Sequence, residues 1–164
     1  EIVELRDLDE RQEAVAASLK VLSMSPRSEK DLRQRLRRRG LGRPAADAAV
    51  ARMRELGYLD DARFAKSYVE SRQSSTPRSR RFLAFELGQK GVARELSAPA
   101  LDEVSDKDAA YAAAQRRVAS LRALDRAAFQ KRLGSFLAGR GFGYGVARAT
   151  IERCWAELHL ERGD

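Results

Sequence analysis

Arg33, Arg37 and Arg38 lie on a stretch whose leucines define a buried face, and all three turn away from it toward solvent. On a wheel turning about 100° per residue, with Leu32 at zero, Leu36 falls at about 40° and the three arginines at about 100°, 140° and 240°. A guanidinium stays charged at physiological pH and can donate two parallel hydrogen bonds to one phosphate. Outward arginines in this pattern suit a polyanion. Arg35 and Arg43 belong to the same segment, and between Arg27 and Arg54 there are ten Lys/Arg against three Asp/Glu. A second basic group, Arg72, Arg78, Arg80 and Arg81, surrounds Gln73-Ser-Ser-Thr-Pro77, with Arg80 and Arg81 the next candidates for such contacts. The competing reading is a solvated, Arg-rich face with no ligand.

Other residues with chemical capacity point to structure. Asp60-Asp61 could suggest acid/base work or a metal pair, but a helix start calls for an acidic cap there and no third carboxylate is near in sequence. His159 stands alone near the C-terminus, and Cys154 sits in a helical apolar pattern, which suits a small buried side chain. Gly141-Phe-Gly-Tyr-Gly145 follows a helix, not a strand, and lacks the Walker and dinucleotide patterns, so it reads as a turn. Tyr58, Phe64 and Tyr68 read as core at helical spacing. No catalytic constellation emerges; the chain is read as a non-enzyme with no metal and no cofactor.

The elements that position these residues recur. Leu-x3-Leu-x3-Gly followed by an apolar residue occurs at Leu32/Leu36/Gly40/Leu41, Leu83/Leu87/Gly91/Val92 and Leu133/Leu137/Gly141/Phe142, about fifty residues apart. Each glycine suits a left-handed helix end, and the apolar residue after it suits the contact that accompanies such an end. A basic residue precedes each glycine (Arg39, Lys90, Arg140), and its expected role is to serve the carbonyl end of the helix. Arg33, Arg37 and Arg38, by contrast, align with Ala84, Gly88 and Gln89, and with Gly134, Ala138 and Gly139. The fold does not require arginine there.

Self-similarity at this period marks an array of helical units. The expected fold is all-α, three tandem three-helix repeats forming an elongated, curved array. Residues 1–13 make an acidic lead, and the repeats span 14–57, 58–104 and 105–164. In the first, a helix from Glu10 to Leu22 ends at Pro26, Ser28 caps the next, and a third runs from about Pro44 to Leu56. In the second, Asp60 caps a helix to about Arg72, residues 73–77 form a loop, Ser79 caps the next helix, and a short one crosses Ala98 to Val104. The third begins near Ser105 or Asp106, breaks near Leu124-Asp125, and ends with Tyr144 to Leu158.

Composition fits an array with an anionic partner. The 164 residues carry a formal net charge of +8, and 43% are apolar, enough for a packed interior. One cysteine excludes an internal disulfide and suits a reducing compartment. No apolar run reaches the ~20 residues that span a membrane, and the expected place is the cytoplasm. The start at Glu1 without methionine reads as a trimmed N-terminus.

These residues together resemble a known family. Ser28-x3-Leu32-Arg-x2-Leu36-Arg-x2-Gly40, then Leu56-Gly-Tyr-Leu-Asp-Asp-Ala-Arg-Phe-Ala65, Glu86-Leu-x2-Lys-Gly91 and Lys131-x4-Phe136-Leu-x2-Arg-Gly-Phe142 are similar to the RecX regulatory proteins of bacteria, over about residues 14 to 158. The most specific part is Gly57, Tyr58, Leu59, Asp60 and Asp61 with Arg63, Phe64 and Ala65, read as structural. Two departures stand out: Ser74-Ser-Thr-Pro77 in place of a glycine-containing turn, and Pro99, expected to break the segment after Gly91. The resemblance implies a negative modulator of the RecA recombinase, acting on the filament that RecA forms on single-stranded DNA; the expected state is a monomer, with double-stranded DNA as a further expected partner. It implies suppression of strand exchange and coupled ATP hydrolysis, tempering the SOS response. The runner-up is a sequence-indifferent DNA-binding protein that acts without RecA; a third reading is a protein adaptor whose charge is incidental.

Overall fold

The computed structural model describes residues 2–160. Among these the regular elements are nine helices and no strand: α1 Ile2–Met24, α2 Glu29–Arg38, α3 Arg43–Glu55, α4 Asp61–Ser75, α5 Arg80–Gln89, α6 Arg94–Asp102, α7 Asp106–Leu121, α8 Arg126–Gly139 and α9 Tyr144–Leu160. The chain is all-α, in three successive sets of three helices. Packing groups the residues into two compact units. One holds the residues through Ser67 with Glu86–Ala98, and the other holds Tyr68–Phe85 with the residues from Pro99 onward.

In the first unit, Leu32 and Leu36 of α2 are fully buried with Ala14 and Ala17 of α1, Ala45, Ala46, Ala49, Val50 and Met53 of α3, and Leu59. The alanines let α1 lie close along α3 while the leucines fill the space between. Each buried leucine contributes roughly 1.5–3 kcal/mol. The second unit centres on Phe129, Leu133 and Leu137 of α8, with Ala110, Ala113 and Ala114 of α7 and Ile151 and Cys154 of α9.

All three repeated helices end in the same way. Gly40, Gly91 and Gly141 have φ of 88°, 77° and 86°. The N–H of the next apolar residue reaches back to the second leucine: Leu41 to Leu36 O at 3.2 Å, Val92 to Leu87 O at 3.0 Å, Phe142 to Leu137 O at 3.2 Å. This is the Schellman end, which satisfies carbonyls the helix leaves open.

Several boundaries differ from the sequence reading. α1 begins at Ile2, so the acidic lead is helical, and Glu10 accepts a hydrogen bond from the Gly42 N–H at the start of α3. Most of the expected loop 73–77 continues α4 to Ser75. There the Ser74 and Ser75 hydroxyls donate to Ser71 O at 3.0 and 2.8 Å, and the Arg116 guanidinium donates to the Ser74 and Ser75 carbonyls. α6 starts at Arg94 and runs through Pro99 without a break. Proline's fixed φ matches a helix, and the partner its missing N–H would have used is the carbonyl of the exposed Glu95. Tyr58, expected in the core, is 55% exposed: Gly57, with φ of 76°, turns the chain so that Leu59 enters instead.

Candidate nucleic-acid interface

The N-terminus of α2 is held by the helices that follow it. Ser28 accepts from Asp31 N at 3.2 Å and donates to Lys90 O at 2.7 Å, while Asp61 Oδ1 accepts from Glu29 N at 3.0 Å. The second unit repeats the plan at α5. Ser79 accepts from Phe82 N at 3.1 Å, its own N–H reaches Arg140 O at 3.2 Å, and Asp106 Oδ1 accepts from Arg80 N at 2.7 Å. Asp60 and Asp61 thus have separate structural uses, since Asp60 Oδ1 caps α4 through Arg63 N at 3.0 Å. Burial raises the Asp61 carboxyl above its ordinary range, against the lowering effect of its hydrogen bond from Glu29.

This frame disposes the arginines unequally. The three carboxylates near α2 each hold two guanidiniums. Glu29 meets Arg54 at 2.7 Å and Arg33 at 3.4 Å; Asp31 meets Arg35 at 3.0 Å and Arg27 at 3.4 Å; Asp47 meets Arg33 at 2.9 Å and Arg43 at 3.6 Å. Arg33, Arg35 and Arg43 are therefore already paired, at the surface, with carboxylates of the chain itself. Arg37 and Arg38 are exposed on the last turn of α2 and make no ion pair among the described residues.

Arg39, set apart in the sequence reading as a helix-end residue, joins them. Its backbone N–H bonds Arg35 O and Leu36 O, but its side chain is exposed and makes no hydrogen bond among the described residues. In the third repeat the Arg140 guanidinium instead lies 4.5 Å above the Phe136 ring. The side chains of Arg39 and Arg140 therefore do not cap the carbonyl ends as expected. Arg80 is engaged, donating to Val104 O at 2.9 Å and Asp102 O at 3.3 Å, whereas Arg81 is exposed.

Three family models match in chain order: the first three-helix domain of RecX over residues 14–53, the second over 60–101 and the third over 105–151. A regulatory protein RecX of Streptomyces coelicolor is 32% identical over 152 residues, covering 91% of this chain and 81% of that protein. One of Thermobifida fusca is 35% identical over 151 residues, covering 90% and 80%. This chain belongs to the RecX family. A crystal structure of RecX from Lactobacillus salivarius shares the fold, with a TM-score of 0.74 at 20% identity over 93% of this chain and 99% of that one. A second RecX regulatory protein structure gives a TM-score of 0.80 at 19% identity, over 92% and 77%.

The RecX match places Gly57, Tyr58 and Leu59 between the first two matched segments, with Asp60 and Asp61 opening the second. That is where Asp61 reaches back to α2. Nothing among the described residues groups three or more His, Cys, Asp or Glu as a metal site, and no helix there is long and apolar enough to cross a membrane. Cys154 is buried, and burial pushes its thiol up to about 11. The relatives carry the name of regulatory proteins, and the exposed chemistry of α2 is cationic.

Proposed function

We propose that this chain is a negative regulator of the RecA recombinase, binding the filament that RecA forms on single-stranded DNA and suppressing strand exchange and the coupled ATP hydrolysis. In that role it tempers recombinational repair and the SOS response, acting in the cytoplasm as a monomer without a cofactor. The observation that carries the reading is the run Arg37 to Arg39, three exposed guanidiniums at the end of α2 in a chain of the RecX family. The carbonyl end of a helix favours cations, and each guanidinium can bond two phosphate oxygens or an acidic protein side chain. Arg81 offers a further point of attachment, and double-stranded DNA presents the same phosphates. Several contacts on one scaffold raise the effective concentration of the later ones once the first has formed.

The test is the RecA-dependent ATPase rate on single-stranded DNA as this protein is added. The rate is expected to fall with a saturable dependence. If it stays constant while the protein binds the same DNA equally well with and without RecA, the chain is a DNA-binding protein that acts independently of the recombinase.

A further inference from the structure

The third repeat holds a basic surface that the count of arginines near α2 conceals. Between α7 and α8 lies a cleft of about 750 Å3 lined by Arg117, Ser120, Lys131, Arg132, Ser135 and Phe136, with no carboxylate on its walls. Arg117, Lys131 and Arg132 make no ion pair among the described residues, unlike Arg33, Arg35 and Arg43. What holds the cations here is the scaffold. The Arg117 guanidinium lies 5.1 Å from the centroid of the Phe136 ring, and that of Arg140 4.5 Å from the same ring. The Arg140 guanidinium is held below its ordinary value by burial and then by Arg78, Arg117 and Arg116. Like charges gathered this closely are relieved by a bound anion.

The other flank of α8 has a different character. A cleft of about 400 Å3 there is walled mainly by apolar and small residues, among them Gly134, Phe142, Tyr144 and Ile151, with Lys131, Ser135 and Arg148 also lining it. Tyr144 is 79% exposed. Lys131 and Ser135 line both clefts, so the cationic and the aromatic sites meet over α8. A strand with unstacked bases presents this same pairing of phosphates and flat apolar rings. An acidic peptide would use the cations and leave the tyrosine idle, and a duplex keeps its bases stacked away from it.

We infer that the two flanks of α8 form a binding site for single-stranded nucleic acid, with phosphates over Arg117, Lys131 and Arg132 and a base against Tyr144. The site goes beyond the proposed function: it uses none of the α2 arginines and requires no recombinase.

The experiment measures the anisotropy of a fluorescein-labelled thymidine 20-mer titrated with the full chain, without RecA, over a range of salt. The double variant Lys131→Ala/Arg132→Ala is expected to bind more weakly and to flatten the slope of log K against log salt by about 1.4, two phosphate contacts at ~0.7 each. Tyr144→Ala is expected to weaken binding about five- to hundredfold at an unchanged slope. These side chains are exposed, so thermal melting stays at the parent value and reports folding. Both losses should persist in an Arg37→Ala/Arg38→Ala background, which separates this site from the one read by the RecA ATPase. Wild-type affinity in either variant overturns the inference. So does polyglutamate displacing the labelled strand as well as unlabelled thymidine 20-mer, which would make the surface an acidic-polypeptide site.

Discussion

Asp61, in the Gly-Tyr-Leu-Asp-Asp motif, accepts a hydrogen bond from the Glu29 backbone N–H at 3.0 Å, so the first helix of the second repeat caps the middle helix of the first. The same bond recurs between Asp106 and Arg80 at 2.7 Å. The motif is thus a clasp between successive repeats, and its acidic residues need no catalytic account.

Replacing Asp61 separates the cap from the charge. Asp61→Ala leaves the Glu29 N–H without its acceptor and is expected to cost about 1 kcal/mol in urea unfolding. Asp61→Asn keeps an acceptor oxygen and removes the charge that burial penalises, so at neutral pH it should be at least as stable as the parent. The sign follows from the raised carboxyl. The folded chain holds this proton more tightly than the unfolded chain, so the gain from the neutral form is present below the ordinary carboxylate range. It is lost as pH rises through the elevated value. The asparagine variant should lack that component of the pH profile; a parent-like profile would refute the assignment.

The repeated glycines are not equivalent. A methyl group at Gly40 would meet nothing within 4 Å, and Gly40→Ala is expected to cost only the left-handed backbone penalty, about 1–2 kcal/mol. At Gly91 it would stand 2.5 Å from Lys30 Cδ and 2.7 Å from Lys30 Cβ. At Gly141 it would stand 2.5 Å from Ser79 Oγ and 2.8 Å from Phe82 Cβ. Gly91→Ala and Gly141→Ala should therefore each lose about 1–3 kcal/mol more than Gly40→Ala, from overpacking. Equal losses at the three positions in urea titrations would show that the neighbouring helix yields freely.

Much of this scaffold is legible in the chain because its signals are local. Leu32, Leu36 and Gly40 lie within one helix, and Ser28, Ser105 and Asp125 cap helices through N–H groups three residues on. The charge pairing around α2 is local only in part: Arg33–Glu29, Arg35–Asp31 and Arg43–Asp47 are four residues apart, but two pairs reach between helices. Whether Arg33 is available depends on Asp47, and Arg54 is taken by Glu29, 25 residues away; a helical wheel carries neither fact. The cleft beside α8 is hidden for the same reason, since Arg117 and Lys131 meet only when α7 folds along α8. α1 begins earlier than its apolar spacing indicates because its first turns leave Leu5 and Leu8 exposed. A stripe is a signature of burial, and Leu5 and Leu8 are not buried.

Cys154 gives a direct check on burial in the second unit. With its thiol pushed up to about 11, the thiolate that reacts with disulfide reagents is scarce in the native protein. At pH 8 an aromatic disulfide reagent should label the native chain slowly and the urea-unfolded chain at the rate of an ordinary cysteine. Rapid, complete labelling of the native chain would show that α9 leaves the core on the timescale of the assay.

The arginines of α2 should divide by their partners. Arg33→Ala removes the ion pairs to Asp47 and Glu29, which are half-exposed at best, so a loss of only about 0.2–1 kcal/mol per pair is expected in unfolding. Its effect on filament inhibition should be small, because its charge is already matched. Arg37→Ala/Arg38→Ala removes no ion pair among the described residues and exchanges exposed arginine for a good helix former, so melting should stay within about 2 °C or rise. Inhibition of the RecA ATPase should nonetheless weaken severalfold, and the salt slope for DNA binding should become shallower. Measuring melting and inhibition on the same two preparations decides the matter. If Arg33→Ala impairs inhibition more than the double variant while folding normally, the filament contact lies on the paired arginines and the assignment to the exposed end of α2 fails.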